Sequence, residues 1–285
     1  IAAGRAAMEA HAPASAAPLL ARALAYVDEL GETVLELSRI DHARLERDFA
    51  WARYCTGDVK DYLRHSHRAL ELLGHPTPQS KGGWAWSALT EFTRHCVYGL
   101  LPKRWLQSSR APAREQYRLG AETAAGLSWG YIYGNSPPRA LGLSLVAANL
   151  SHRAGTDGPR AVPYTMLGAT WGSMGLDSVA DRYFAAARRS AETVDVVGQA
   201  FVQRWIEGMH HFNFARWGRG RELILEVLEQ GRKTGDAHAM VNSLSILSIE
   251  AYHRGQLDSC VEFASEAREL ARANAYAVLE TVTRC

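Results

Sequence analysis

Cysteine is scarce in this chain and is not arranged for chemistry. The four cysteines lie far apart, without a CxxC pair and without histidines at metal-ligand spacing beside them. No cationic and apolar signal segment is present either. The sequence therefore predicts free thiols, no metal site and a reducing cytoplasm. The cysteines are Cys55, Cys96, Cys260 and Cys285.

Long apolar runs and excess charge are also missing. No uninterrupted apolar run approaches the roughly 18 residues that a membrane span needs. A formal net charge of +2 is too small to indicate a nucleic-acid partner, for which a concentrated basic stripe is expected. With 47% hydrophobic and 22% charged residues, the chain has enough apolar side chains for a folded core. We expect neither a membrane nor a nucleic acid as partner.

Motifs for nucleotide chemistry are absent, and one hydrolase-like motif is present. The chain has no GxxxxGK[ST] loop and no GxGxxG after a strand, so no nucleotide cofactor is expected. Gly126 to Gly130 fits GxSxG, but a nucleophile elbow needs a strand before its serine, and residues 121–125 favour helix. We expect Ser128 to be a small packing residue. A hydrolase that uses Ser128 stays as a remote alternative, and no catalytic residue or cofactor is predicted.

The most informative feature of the sequence is a repeat. Gly168 is expected to face Ala180 on a second helix, so that two helices approach closely, and Gly175 to turn the chain between them in a left-handed conformation. Larger apolar residues recur at helical spacing around these small ones. The pattern resembles the tetratricopeptide (TPR) pair of antiparallel helices. It consists of Tyr164, Leu167, Gly168, Trp171, Gly175, Ala180, Phe184 and Ala187.

This register recurs every 40 residues, which is typical of a solenoid. The unit at Val241 matches well, the unit at Ala121 has Asn135 at its turn, and the unit at Phe201 is degenerate. The predicted fold is all-α: one right-handed, TPR-like α-solenoid of antiparallel helix pairs spanning 1–285, with roughly six to seven repeats. The predicted units are 15–42 (partial), 43–82, 83–120 (irregular), 121–160, 161–200, 201–240 and 241–280, and 281–285 starts a further truncated helix.

Resemblance to TPR arrays implies that the first helix of each unit lines a concave face. At the corresponding offsets the chain has an aromatic, weakly charged set of side chains, which would suit a peptide, a protein or another domain of the same polypeptide. The same offsets equally suit packing between repeats. The predicted partner-binding residues are Trp129, Tyr133, Trp205, Met209, Phe212, Asn213, Asn242, Tyr252 and His253.

Two further stretches resemble a class of bacterial proteins. The segments from His67 to Pro78 and from Ala215 to Arg221 are similar to the C-terminal repeat region of multidomain signalling ATPases. Such proteins combine a cyclase or kinase domain, an AAA/STAND-type ATPase and a TPR region, and the likeness covers 45–275. It implies a non-catalytic sensor or scaffold within a larger protein. A free-standing TPR adaptor is the alternative, and the oligomeric state stays open.

Overall fold

A computed structural model describes residues 1–10, 12–32, 34–133, 136–155, 160–192, 197–274 and 276 of the chain. The described residues form helices and turns, without a strand. The helices, in chain order, are α1 (Ala2–Glu9), α2 (Pro13–Leu30), α3 (Arg39–Cys55), α4 (Val59–Leu72), α5 (Lys81–Leu100), α6 (Lys103–Leu106), α7 (Ala111–Tyr133), α8 (Pro137–Ala154), α9 (Ala161–Ser173), α10 (Asp177–Glu192), α11 (Val197–Asn213), α12 (Trp217–Thr234), α13 (Ala237–His253) and α14 (Leu257–Ala273).

Neighbouring helices pack in the manner of a helical repeat. The tightest pairs are α3 with α4, α7 with α8, α9 with α10, α11 with α12, and α13 with α14. The second helix of each pair also packs on the first helix of the next pair, and successive first helices touch one another. Each pair buries its apolar face mainly against its neighbours, as expected for a stack of similar units.

Helix boundaries advance along the chain in steps of 40 residues. The second helices α8, α10, α12 and α14 begin at Pro137, Asp177, Trp217 and Leu257. At the turns before them, Gly175 and Gly255 have φ angles of 77° and 72°. The left-handed conformation predicted for Gly175 is thus present, whereas Asn135, expected at the equivalent turn, lies outside the described residues.

Small residues permit close approach within the pairs, as the sequence pattern predicts. A Cβ atom on Gly168 would lie 2.9 Å from the Phe184 ring and 3.2 Å from the carbonyl oxygen of Ala180. One unit later, a Cβ on Gly220 would lie 3.1 Å from the carbonyl oxygen of Gly208. Because backbone atoms oppose each other at both places, a larger side chain would push the two helices apart.

Segment 83–120, expected to form an irregular unit, contributes a helix beside the stack. α5 packs on α8, while α4 packs directly on α7. α5 therefore lies outside the succession of helix pairs. Trp84 anchors α5, because its side chain is 5% exposed and its ring lies 6.1 Å from that of Tyr131. The opposite side of α5 leaves Trp86 and Leu100 largely exposed.

The stack curves until its early and late helices meet. One cluster of buried residues joins Tyr54 and Cys55 of α3 to Leu244 of α13 and to Tyr276. Within the same region the rings of Trp51 and His238 lie 5.4 Å apart. Side chains far apart in the sequence therefore close the array around an interior space. Among the helices described above, none combines the length and the apolar character needed to cross a lipid bilayer.

Candidate binding cavity

The interior space contains a cavity of about 220 Å³, which we call the apolar cavity. Among the described residues, its walls come from the first helices only: α3, α7, α9, α11 and α13. Successive first helices touch along one side of the stack, so their inward-facing side chains converge there. The lining residues are Trp51, Tyr54, Glu122, Ala125, Gly126, Trp129, Val162, Phe201, Val202, Trp205, Ile206, His238 and Asn242.

A second space of about 630 Å³, the charged cavity, adjoins the apolar cavity. The two share Trp51, Glu122, Gly126 and His238 in their walls. Its remaining lining comes from α1 to α4, α7 and the two ends of the α13–α14 pair. These residues are Arg5, Met8, Glu9, Pro13, Arg44, Arg47, Asp48, Cys55, Tyr62, Ser66, Thr123, Asp236 and Tyr276.

Aromatic rings dominate the apolar cavity. Trp129 meets Trp205 edge-on, with ring centroids 4.9 Å apart and an interplanar angle of 75°. Trp51 stacks on Tyr54 at 5.2 Å and 19°. Burial raises the pKa of Tyr54 to about 12, against the lowering effect of a hydrogen bond from Trp129, so its phenol stays neutral near neutral pH. The side chain of Trp205 is 5% exposed, and its Nε1 has no acceptor among the described residues.

The arginines of the charged cavity are held in ion pairs. Arg5 Nε lies 3.1 Å from an oxygen of Asp48. Arg47 lies 2.9 Å from Asp48 and 2.6 Å from Glu122. Arg44 pairs with carboxylates of Asp41 and Glu115, at 2.9 and 2.7 Å. Each cationic side chain in this wall is therefore offset by at least one carboxylate.

Two carboxylates of the charged cavity have no such partner. Asp236 accepts a hydrogen bond from the backbone N–H of Ala239 at 3.1 Å and so caps the N-terminus of α13. Neither Asp236 nor Glu9 forms an ion pair with a residue of the described segments. Burial, reinforced by the charge of Asp236, raises the pKa of Cys55 to about 12. The Cys55 thiol is protonated near neutral pH and is a poor nucleophile.

Ser128 does not have the surroundings of a nucleophile elbow. It lies inside helix α7, its side chain is fully buried, and its Oγ donates to the carbonyl oxygen of Ala125 at 2.7 Å. A helix therefore stands where the elbow needs a strand. In the described part of the chain no group of three His, Cys, Asp or Glu side chains could hold a metal ion. Cys55, Cys96 and Cys260 are free, and Cys285 lies outside the described residues.

The structure brings together some of the predicted partner-binding residues. Trp129, Trp205 and Asn242 line the apolar cavity, where the Asn242 amide donates to the carbonyl oxygen of His238 at 2.8 Å. Phe212 instead packs inside its own helix pair, 2.9 Å from the position of a Cβ on Gly220.

The other predicted residues lie elsewhere. Met209 packs against the buried cluster without lining the cavity. Asn213, Tyr252 and His253 are exposed at the ends of their helices. The side chain of Tyr133 lies outside the described residues. Three of the nine predicted positions thus share one site.

Sequence reasoning missed Trp51, Tyr54 and His238. A signal exists for the first two, because Trp51 and Tyr54 are the ninth and twelfth residues of the predicted unit that begins at Ala43. The ninth residue of the unit at Ala121 is Trp129, which is one of the predicted partner-binding residues. His238 precedes the predicted unit at Val241 and falls on no groove offset. Its place in the wall depends on how far the array curves.

Comparisons with known proteins add no family to this geometry. A scan against protein-family models found no match, and a search of curated proteins found no match either. The inference of function therefore starts from the two cavities and from the side chains that form their walls.

Proposed function

We propose that this chain is a non-catalytic, partner-binding array of the TPR type. In this proposal the helix pairs form a right-handed superhelix, and the array is the sensor or partner-binding segment of a larger cytoplasmic bacterial signalling protein. The 40-residue steps of the helix boundaries and the packing of successive pairs support the repeat type. One observation carries the binding function: every described residue in the wall of the apolar cavity belongs to a first helix.

The dimensions and chemistry of the cavities favour a ligand over a merely loose core. A well-packed interior has few voids larger than a water molecule. The two adjoining cavities, of about 220 and 630 Å³, together reach the size of ligand sites, which span roughly 300–1,000 Å³. Their wall combines aromatic surface with a small number of polar groups, which is the composition typical of binding sites. An extended peptide fits this shape better than a folded domain does.

The proposal is tested by selecting ligands from a library of short random peptides displayed on phage, with the folded chain as bait. Affinities of synthetic copies are then measured through the fluorescence of the cavity tryptophans. Trp129→Ala should weaken binding about tenfold or more, because a buried aromatic anchor typically contributes over 1 kcal/mol. Trp86→Ala is the matched control, since Trp86 is 68% exposed on α5, away from the cavities.

Trp129 is the better test position because it is only partly buried, whereas Trp205 belongs to the core and its truncation would itself destabilise the fold. Circular dichroism and a thermal melt establish that both variants are folded. Selected peptides that bind Trp129→Ala as tightly as the wild type would contradict binding in the cavity. A library that yields no specific binder would contradict peptide binding altogether.

A further inference from the structure

Two wall residues each carry a hydrogen-bond donor that is buried and lacks an acceptor among the described residues. Trp205, in the wall of the apolar cavity, has such a donor at Nε1, and Arg5, in the wall of the charged cavity, has one at Nη2. Neither atom has a partner among the described residues, although Arg5 uses its Nε to bind Asp48. Both atoms have almost no surface accessible to a water-sized probe, so the groups that a ligand meets in these walls are the charged and aromatic side chains.

The charge of the same wall is unbalanced toward the negative. Arg5, Arg44 and Arg47 are each held by carboxylates, whereas Asp236 and Glu9 have no cationic partner in the described segments. A cation that entered the charged cavity would be attracted to these carboxylates, and an anion would be repelled.

Aromatic faces lie where the two cavities join. Trp51 and His238 belong to both walls, and the Tyr276 ring is 5.6 Å from that of His238. Indole and phenol faces attract ammonium and guanidinium groups through their quadrupoles. The route from the charged cavity to the apolar cavity therefore passes from carboxylates, over aromatic faces, to an apolar space large enough for one bulky side chain.

We propose that the ligand is an extended peptide in which a lysine or arginine lies close to an aromatic or aliphatic residue. The basic side chain binds at Asp236 and Glu9, and the apolar side chain enters the apolar cavity and packs against Trp129 and Trp205, whose rings touch edge-on. This inference rests on the proposed function, since it specifies the partner of the same site. A peptide is favoured over a simple amine because the unpaired carboxylates line one cavity and the tryptophans line the other, and one peptide backbone can present a basic and an apolar side chain to both.

The test uses a selected peptide in two synthetic forms, one with its lysine and one with norleucine in that place. Wild-type protein should bind the lysine form about tenfold more tightly. Asp236→Asn should reduce this preference to about threefold or less, with an unchanged melting temperature, because asparagine caps a helix as well as aspartate does. Glu9→Gln is a second variant that touches no helix cap. Asp258→Asn, at an exposed carboxylate of α14, should leave the preference intact.

The outcomes separate this inference from the proposed function. Peptides that bind in the cavity but are neutral or acidic would overturn the basic-ligand inference and leave the binding function standing. If neither Asp236→Asn nor Glu9→Gln alters the preference for lysine, the basic-ligand inference is likewise overturned, and the binding function still stands. A final arm compares phenethylamine with 3-phenylpropionate, which has a similar ring and the opposite charge. If phenethylamine alone binds and no peptide is selected, the ligand is a small apolar amine and the peptide is excluded.

Discussion

Single residues at the turns decide how readily each helix pair reverses direction. Gly175, Ala215 and Gly255 occupy the same turn position, 40 residues apart, with φ angles of 77°, 55° and 72°. Glycine adopts this left-handed conformation freely, whereas the conformation costs a residue with a Cβ atom roughly 1–2 kcal/mol of conformational free energy. The degenerate unit that begins at Phe201 therefore has a strained turn where its neighbours do not.

Ala215→Gly should stabilise the protein by about 0.5–1 kcal/mol. The backbone strain at Ala215 is relieved, and the greater freedom of glycine in the unfolded chain offsets part of the gain. The free energy of unfolding is measured by urea denaturation. Gly175→Ala and Gly255→Ala are matched reverse changes, and each should destabilise by about 1 kcal/mol, since a Cβ at either position meets no atom within 4 Å. If the Ala215→Gly protein is less stable than the wild type, the backbone at Ala215 is not strained.

At this scale the sequence predicts contacts between close neighbours well. Gly168 opposite Ala180 and the turn at Gly175 follow from offsets within one helix pair, where helical geometry fixes the distances. Phe212 shows the limit. A groove offset places it on the first helix correctly, yet its ring fills the space above Gly220 within the pair. The position of a residue within a repeat unit gives the direction of its side chain only approximately. It therefore cannot distinguish a side chain that packs inside a helix pair from one that lines a cavity.

Among the elements, α5 departs most from the expected pattern. The sequence predicts an irregular unit in 83–120, a segment that contains Pro102, and α5 ends at Leu100, two residues before this proline. Its packing on α8 could not be predicted, because no repeat offset applies to an inserted helix. The contact depends on a buried polar cluster: His95 Nδ1 lies 3.1 Å from Asn149 Oδ1, and His95 Nε2 lies 2.9 Å from the Tyr183 hydroxyl.

The attachment of α5 should weaken in acid. Burial lowers the pKa of His95 below its usual value near 6.5, although its hydrogen bond with Asn149 acts the other way. The unfolded chain then binds a proton more readily than the folded chain, so stability is lost as the pH falls through about 6.5. The contribution of His95 should fall by at most about 1.4 kcal/mol per pH unit within that window.

His95→Gln isolates this contribution, because the other buried histidines with lowered pKa values, His67, His75 and His210, are present in both proteins. The substitution should cost more stability at about pH 7.5 than at about pH 5, as measured by urea denaturation at each pH. His253→Gln serves as the control, because the His253 side chain is exposed. Equal costs of His95→Gln at both pH values would show that its burial does not disfavour protonation.

For the whole molecule, the closure of the array on itself determines the shape of the two cavities. Trp51 of α3 meets His238 of α13 edge-on, with ring centroids 5.4 Å apart and an interplanar angle of 67°. This contact bounds both cavities. The sequence predicts the repeat but not the closure, because curvature is the sum of small rotations between successive pairs. Trp51 and Tyr54 stand at positions that the repeat register could have indicated, whereas the place of His238 in the wall depends on that sum.

A double-mutant cycle tests the closure in solution. Trp51→Ala, His238→Ala and the double variant are compared with the wild type by urea denaturation without ligand. Because the two rings touch across the interior, their coupling free energy should be about 0.5–1.5 kcal/mol, the range measured for aromatic pairs. Trp51→Ala combined with Tyr252→Ala is the control pair, since Tyr252 is 63% exposed at the far end of α13.

The control pair should be additive within about 0.3–0.5 kcal/mol, as is usual for residues that do not touch. If the cycle with His238 is additive as well, α3 and α13 are apart in solution and the array is open. An open array would leave a long groove in place of two partly open cavities, and Trp129 and Trp205 would then bind a ligand without the junction formed by Trp51 and His238. The coupling free energy of this one pair therefore determines whether the proposed peptide binds where the two ends of the array meet or lies along an open groove.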